Sequence, residues 1–306
     1  MTSPQFNLFL HQVLNGLTIG MVYALIALGY TMVYGVIGLI NFAHGEVFMV
    51  GAYLALTALG IGAFLFPGAP FWVTLGCVLV FSMLGASILG ALIEKIAYKP
   101  LRRSPKLTAL ITSIGVSFFL QNAVMLIYGA KEQSVPEIIP TAHLRPGVLS
   151  ISPVQMIIFT VSVGLLFFLS WFVRHTRTGK AMRAVAENPE AAQLVGVSVD
   201  RIIGATFVIG SALAAVGGSL FAFNYGSINF HDGYLAGLKA FTAAVFGGIG
   251  SIPGAMLGGI LLGVFEALGA GYISSEWKDV FAFLLLGAVL IFRPSGILGE
   301  SAPEKV

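Results

Sequence analysis

The chain has 306 residues, 57% of them hydrophobic and only 9% charged, with 38 glycines. Soluble domains carry about 25% charged residues, so a water-soluble core of this size is excluded. A net charge of +3 is too small to argue for nucleic-acid binding.

In chain order, apolar runs fall at 8–36, 47–66, 71–93, 107–128, 154–173, 202–223, 241–268 and 280–292. About 20 apolar residues cross a bilayer as a helix. The pattern therefore predicts an all-α, polytopic integral membrane helix bundle of about eight transmembrane segments, in one domain over 1–306. The first run is long enough to hide an extra half-length helix, so the expected count extends to ten. The first Lys or Arg is Lys95, which removes the positive n-region that a cleavable signal peptide needs. Cys77, the single cysteine, lies in an apolar run and reads as inert.

Basic residues set the expected orientation. Lys95, Lys99, Arg102, Arg103 and Lys106 fall in one loop, and Arg174, Arg177, Lys180, Arg183 and Arg201 in another. Both loops should face the cytoplasm, and the stretch 129–153, with only Lys131 and Arg145, should face outside. With eight spans, both chain ends would lie outside.

Two segments look broken or re-entrant. The first, 41–46, puts Asn41, His44, Gly45 and Glu46 between uncharged runs. An ionisable group at membrane depth costs about 2.5–3.5 kcal/mol or more, so such a segment belongs beside protein or water. The second, Gly247-Gly248-Ile249-Gly250-Ser251-Ile252-Pro253-Gly254, interrupts the seventh run. Gly and Pro weaken a helix interior by about 1 and 3 kcal/mol each. One interrupted helix in each half of a chain is the pattern of transporters built on internal repeats.

Asn41, His44, Gly45, Glu46, Gly248, Gly250 and Ser251 are thus candidates for a substrate path. The competing reading of the first cluster is a set of polar groups that hydrogen-bond helix ends together. One His and one Glu two residues apart lack the three or four ligands of a metal site. Glu266, deep in the seventh run, should pair within the bundle, and Asn224, Asn229, His231 and Asp232 fall in an expected external loop. No Ser/His or paired-Asp constellation suggests an enzyme.

The loop 174–201 is much longer than a connector requires. Asn188-Pro189 starts a short helix, Glu190 suits its first turn, and Gly196 ends it. Ala191, Leu194 and Val195 give that helix an apolar edge, shaped either to dock a partner or to lie on the bilayer surface.

Glu190-Ala191-Ala192 followed by Gly196 resembles the Glu-Ala-Ala-x-x-x-Gly motif of ABC-importer permeases, although the Ile-x-Leu-Pro continuation is absent. Longer blocks resemble the LivH-type permeases of bacterial branched-chain amino-acid importers. They are 23–35 (Tyr-Ala-Leu-Ile-Ala-Leu-Gly-Tyr-Thr-Met-Val-Tyr-Gly), 40–46, 241–255, and the closing Arg293-Pro294-Ser295-Gly296-Ile297-Leu298-Gly299.

That resemblance implies a multi-pass bacterial inner-membrane subunit that moves Leu, Ile or Val. Its expected partners are a second related permease, two cytoplasmic ATPase subunits and a periplasmic amino-acid binding protein. It also implies that Glu190, Ala191, Ala192 and Gly196 touch an ATPase subunit. ATP would be used by those partners, with no cofactor in this chain: Gly179-Lys180 is followed by Ala181, and Arg174 stands where a P-loop needs its first glycine. A related permease for urea, short amides or another small polar solute stays open on the residues alone. So does an ion-coupled secondary transporter using Glu46 and Glu266.

Overall fold

A computed structural model describes residues 4–102, 104–139, 150–293 and 295–299. Arg103, Arg145 and Pro294 lie outside the described residues. The described chain is a helical bundle: α1 (Pro4–Ile37), α2 (His44–Leu65), α3 (Phe71–Ile93), α4 (Lys106–Tyr128), α5 (Pro153–His175), α6 (Arg177–Glu187), α7 (Pro189–Leu194), α8 (Val199–Tyr225), α9 (Asp232–Gly247), α10 (Ile252–Tyr272) and α11 (Lys278–Phe292). Two-residue strands β1 (Gln133–Ser134) and β2 (Ser227–Ile228) pair antiparallel.

Among the described residues, seven helices are long and apolar enough to cross a membrane: α1 to α5, with α3 continued by irregular turns to Leu101, then α8 and α10. The expected count of eight is corrected in two ways. The long first run is one unbroken helix of 34 residues with no hidden second segment. The seventh run is two helices, and the first of them begins at Asp232, nine residues before the apolar run does. α9 and α11, at 16 and 15 residues, are shorter than a full crossing.

α1 and α8 form the axis of the bundle, with 89% and 78% of their most apolar windows buried. α3, α4 and α5 are at its edge and leave Phe118, Phe119, Leu126, Phe167 and Phe168 exposed, as lipid-facing side chains are. Small residues set the central crossings. A Cβ on Gly20 would come within 2.8 Å of the Ile260 Cα, and one on Gly259 within 2.5 Å of the Ala24 Cα. α1 and α10 can therefore touch backbone to backbone only because those positions lack side chains.

The bundle has a basic end and an opposite end. The last turn of α1, Arg102, Lys106, the loop helices α6 and α7, and the start of α8 meet around one wide groove of about 730 Å³. There Arg102 pairs with both Glu94 and Asp200, and Lys99 Nζ is 2.9 Å from Asp200. The opposite end carries the β1–β2 pair and the start of α9.

Candidate functional site

The predicted polar segment is a corner between α1 and α2. Asn41 is buried and works as a local brace. Its Oδ1 accepts from the Ala43 N–H at 3.1 Å and from the Tyr98 hydroxyl at 3.1 Å. Tyr98 reaches it because Glu94–Tyr98 is a π-helical turn at the end of α3, a distortion that shifts the register of the following side chains.

α2 starts at His44, and both His44 and Glu46 are only 1% exposed. The imidazole sits edge-on to Tyr30, with ring centroids 4.8 Å apart. Glu46 Oε1 accepts from the Ser117 hydroxyl on α4 at 3.1 Å. His44 Nε2 and Glu46 Oε2 are buried without a hydrogen-bond partner. Such groups cost about 1–3 kcal/mol each and are uncommon in native interiors. Gly45 holds the α2–α9 crossing, where a Cβ would meet the Gly237 Cα at 2.7 Å.

Beside this corner lies a cavity of about 160 Å³, walled by Tyr30, Phe42, Ile114, Ser117, Phe118 and Leu238. His44 and Glu46 do not border it; they stand one layer behind, each touching one of its walls, Tyr30 and Ser117.

The glycine block is a turn between two antiparallel helices, not a break within one. Gly248 (φ +108°) and Gly250 (φ +95°) take conformations that side-chain-bearing residues rarely adopt. Ser251 then caps α10, its hydroxyl accepting from the Gly254 N–H at 3.2 Å. The last carbonyls of α9 are satisfied by the closing segment: Ile297 N–H donates to Phe246 O and Leu298 N–H to Gly247 O, both at 2.9 Å. Gly254 and Gly258 lie against the α9 backbone. Gly250 faces Gly35 in the last turn of α1, and Phe241 of α9 contacts Phe42 and Tyr30.

At the basic end, α7 forms as its local sequence dictates. Asn188 Oδ1 accepts from the Ala191 N–H at 3.0 Å, and Gly196 (φ +86°) lets Val197 N–H return to Ala192 O. Ala192 is buried against the bundle, whereas Glu190 and Ala191 are exposed. Leu194 is 89% and Val195 79% exposed, side by side at the tip of the loop.

A family model described as "Branched-chain amino acid transport system / permease component" matches residues 12–290. The chain belongs to this permease family. It is 48% identical to the high-affinity branched-chain amino acid transport system permease protein LivH of Escherichia coli K12, over 99% of this chain and 100% of that protein. It is 50% identical to BraD, the corresponding permease protein of Pseudomonas aeruginosa, over the same shares. A probable LivH of Methanocaldococcus jannaschii is 28% identical over 90% of this chain and 88% of its own length.

The permease also contains a charged cluster that the hydropathy pattern conceals. Lys239, in the second turn of α9, lies 2.7 Å from Glu266 Oε1 on α10 and 2.6 Å from Asp279 Oδ1 on α11. The Tyr23 hydroxyl of α1 donates to Glu266 Oε2 at 3.0 Å, and Lys239 stands 5.8 Å from the Tyr23 ring centroid. Glu266 is thus paired in the bundle, as expected; Lys239, two residues before the apolar run at 241–268, is an element that run does not reveal. A second overlooked element is α6, whose Met182 and Val185 face inward behind a Thr176 cap. Cys77 is exposed on α3, on the bilayer side of the bundle. Asn229 and Asp232 do lie in the turn that opens α9, with Asn229 N–H donating to Asp232 Oδ2 at 2.7 Å. Asn224 belongs to the last turns of α8 instead.

Proposed function

We propose that this chain is a transmembrane permease subunit of an ATP-driven importer for Leu, Ile and Val. The observation that carries the proposal is the 48–50% identity along essentially its whole length to permeases of that transport system. In this reading a second, related permease completes the membrane pore, two ATPase subunits bind the basic end, and a periplasmic binding protein delivers the amino acid at the opposite end. The excess of Lys and Arg at one end supports placing that end in the cytoplasm of a bacterial inner membrane.

Two exposed apolar side chains on a short capped helix support α7 as the contact with an ATPase subunit, through Glu190, Ala191, Ala192 and Gly196. α7 is held to the bundle by Ala192, and α6 packs on both α5 and α8. Movement of a docked ATPase would therefore reach the membrane helices through short, rigid links. Coupling requires that the ATPase bind the two permease conformations with different affinity.

The walls of the 160 Å³ cavity are largely apolar, which suits an aliphatic side chain. Asn41, His44, Gly45 and Glu46 back that cavity, while Gly248, Gly250 and Ser251 form a hinge at the basic end. The buried, unpartnered His44 Nε2 and Glu46 Oε2 are polar atoms held ready for a conformation in which water or substrate reaches them.

The test is complementation in a bacterium deleted for its branched-chain amino-acid permeases. Leucine uptake should return when this chain is supplied with its ATPases, partner permease and binding protein, and not when the ATPases are omitted. Uptake without any ATPase, or uptake of urea or amides alone, would reject the assignment.

A further inference from the structure

We infer that the Lys239–Glu266–Asp279 cluster is a receiving site for the zwitterionic head of the amino acid, at the end of the permease opposite α7. This inference rests on the importer reading above and names a place for its substrate. A cavity of about 260 Å³ opens on the cluster, between α1, α8, α9, α10 and α11.

Its charges have both signs. Glu132, Asp232, Glu266 and Asp279 line it with Lys239 and Lys278, four carboxylates against two ammonium groups. Lys239 and Glu266 are only 5% and 4% exposed, whereas the Asp279 side chain is 36% exposed and stands at the mouth. Phe221, Leu235 and Ala236 supply an apolar wall.

One ammonium, Lys239, is shared by Glu266 and Asp279, and Lys278 lines the same cavity, so groups of both signs face its opening. An α-amino acid is a neutral zwitterion and presents one ammonium and one carboxylate to groups of both signs. Its ammonium takes the place of Lys239 beside Asp279, and its carboxylate is met by Lys239 and by Lys278 at the rim. The zwitterion leaves the net charge of the cluster unchanged, and the aliphatic side chain lies along Phe221 and Leu235. A metal ion fits less well. The position between Glu266 Oε1 and Asp279 Oδ1 is filled by Lys239 Nζ, and no group of three or more His, Cys, Asp or Glu side chains could hold a metal ion among the described residues.

The experiment uses the complete importer in nanodiscs and proteoliposomes, with radiolabelled leucine delivered by its binding protein. Lys239→Gln combined with Glu266→Gln keeps the shape of the pair and removes both charges. Uptake per assembled complex should fall by about tenfold or more, the scale of losing charge-assisted hydrogen bonds to a ligand. Uptake within about twofold of wild type, in complexes that assemble normally, would overturn the site and leave a structural staple.

If the double variant does not assemble, Asp279→Asn decides. It should raise the half-saturating concentration of loaded binding protein by about threefold or more, and an unchanged value would overturn the proposal. Failure of the importer reading is distinct, since the wild-type complex itself would then take up no leucine.

Discussion

Replacing Leu194 and Val195 with serine should uncouple the permease from its ATPase without disturbing the fold. The two side chains are 89% and 79% exposed, so nearly all of their apolar surface is available to a partner. Fully burying a Leu or Val contributes about 1.5–3 kcal/mol, and losing one anchor of about 2 kcal/mol weakens binding roughly 30-fold. The Asn188 cap, the Ala192 contact and the Gly196 turn are untouched, so α7 itself should persist. The assay titrates ATPase subunits onto nanodisc-embedded permease and reads leucine-stimulated ATP hydrolysis. The half-saturating ATPase concentration should rise about 30-fold or more, while the melting temperature of the isolated permease stays within about 2 °C. An unchanged titration curve would show that these residues face lipid headgroups rather than a partner, and the docking argument would be wrong.

Four further predictions test the packing that holds the site. Gly259→Ala should destabilise the permease by about 1–3 kcal/mol, because its methyl would sit 2.5 Å from Ala24 backbone atoms and force α1 and α10 apart. Gly115→Ala on α4, where nothing lies within 4 Å, should be neutral or stabilise by up to about 1 kcal/mol; thermal unfolding in detergent followed by size exclusion separates the two. Gly250→Ala has room for its methyl but sits at φ +95°, so backbone strain of about 1–3 kcal/mol should lower the unfolding midpoint even though no contact is lost. Tyr98→Phe removes one of the two hydrogen bonds to Asn41 Oδ1 and should cost about 1 kcal/mol, read in the same unfolding assay.

The parts legible in the sequence were those governed by local chemistry. Asn188-Pro189 and Gly196 bound α7 where their capping preferences put them, and the block from Gly247 to Gly254 does interrupt the helical run. Polar residues at 41–46 were expected inside, and Asn41, His44 and Glu46 are buried. The misses share a cause. Hydropathy treats a charge as a boundary, so the apolar run begins at 241, although two carboxylates from other helices make Lys239 tolerable in the interior. Those partners come from 27 and 40 residues away, beyond any local pattern. The glycines of α1 and α10 were visible, but their pairing across more than 200 residues was not. Asn41 could equally brace a helix end or line a path from its sequence context; in the structure its Oδ1 accepts from Ala43 and Tyr98.

The importer claim is tested most directly by reconstituting the permease with its ATPases and partner in proteoliposomes and supplying leucine-loaded binding protein outside. Leucine should accumulate only when ATP is enclosed with the ATPases, and accumulation should survive collapse of the membrane potential and pH gradient by ionophores. Uptake that follows the ion gradients and ignores ATP would contradict the account.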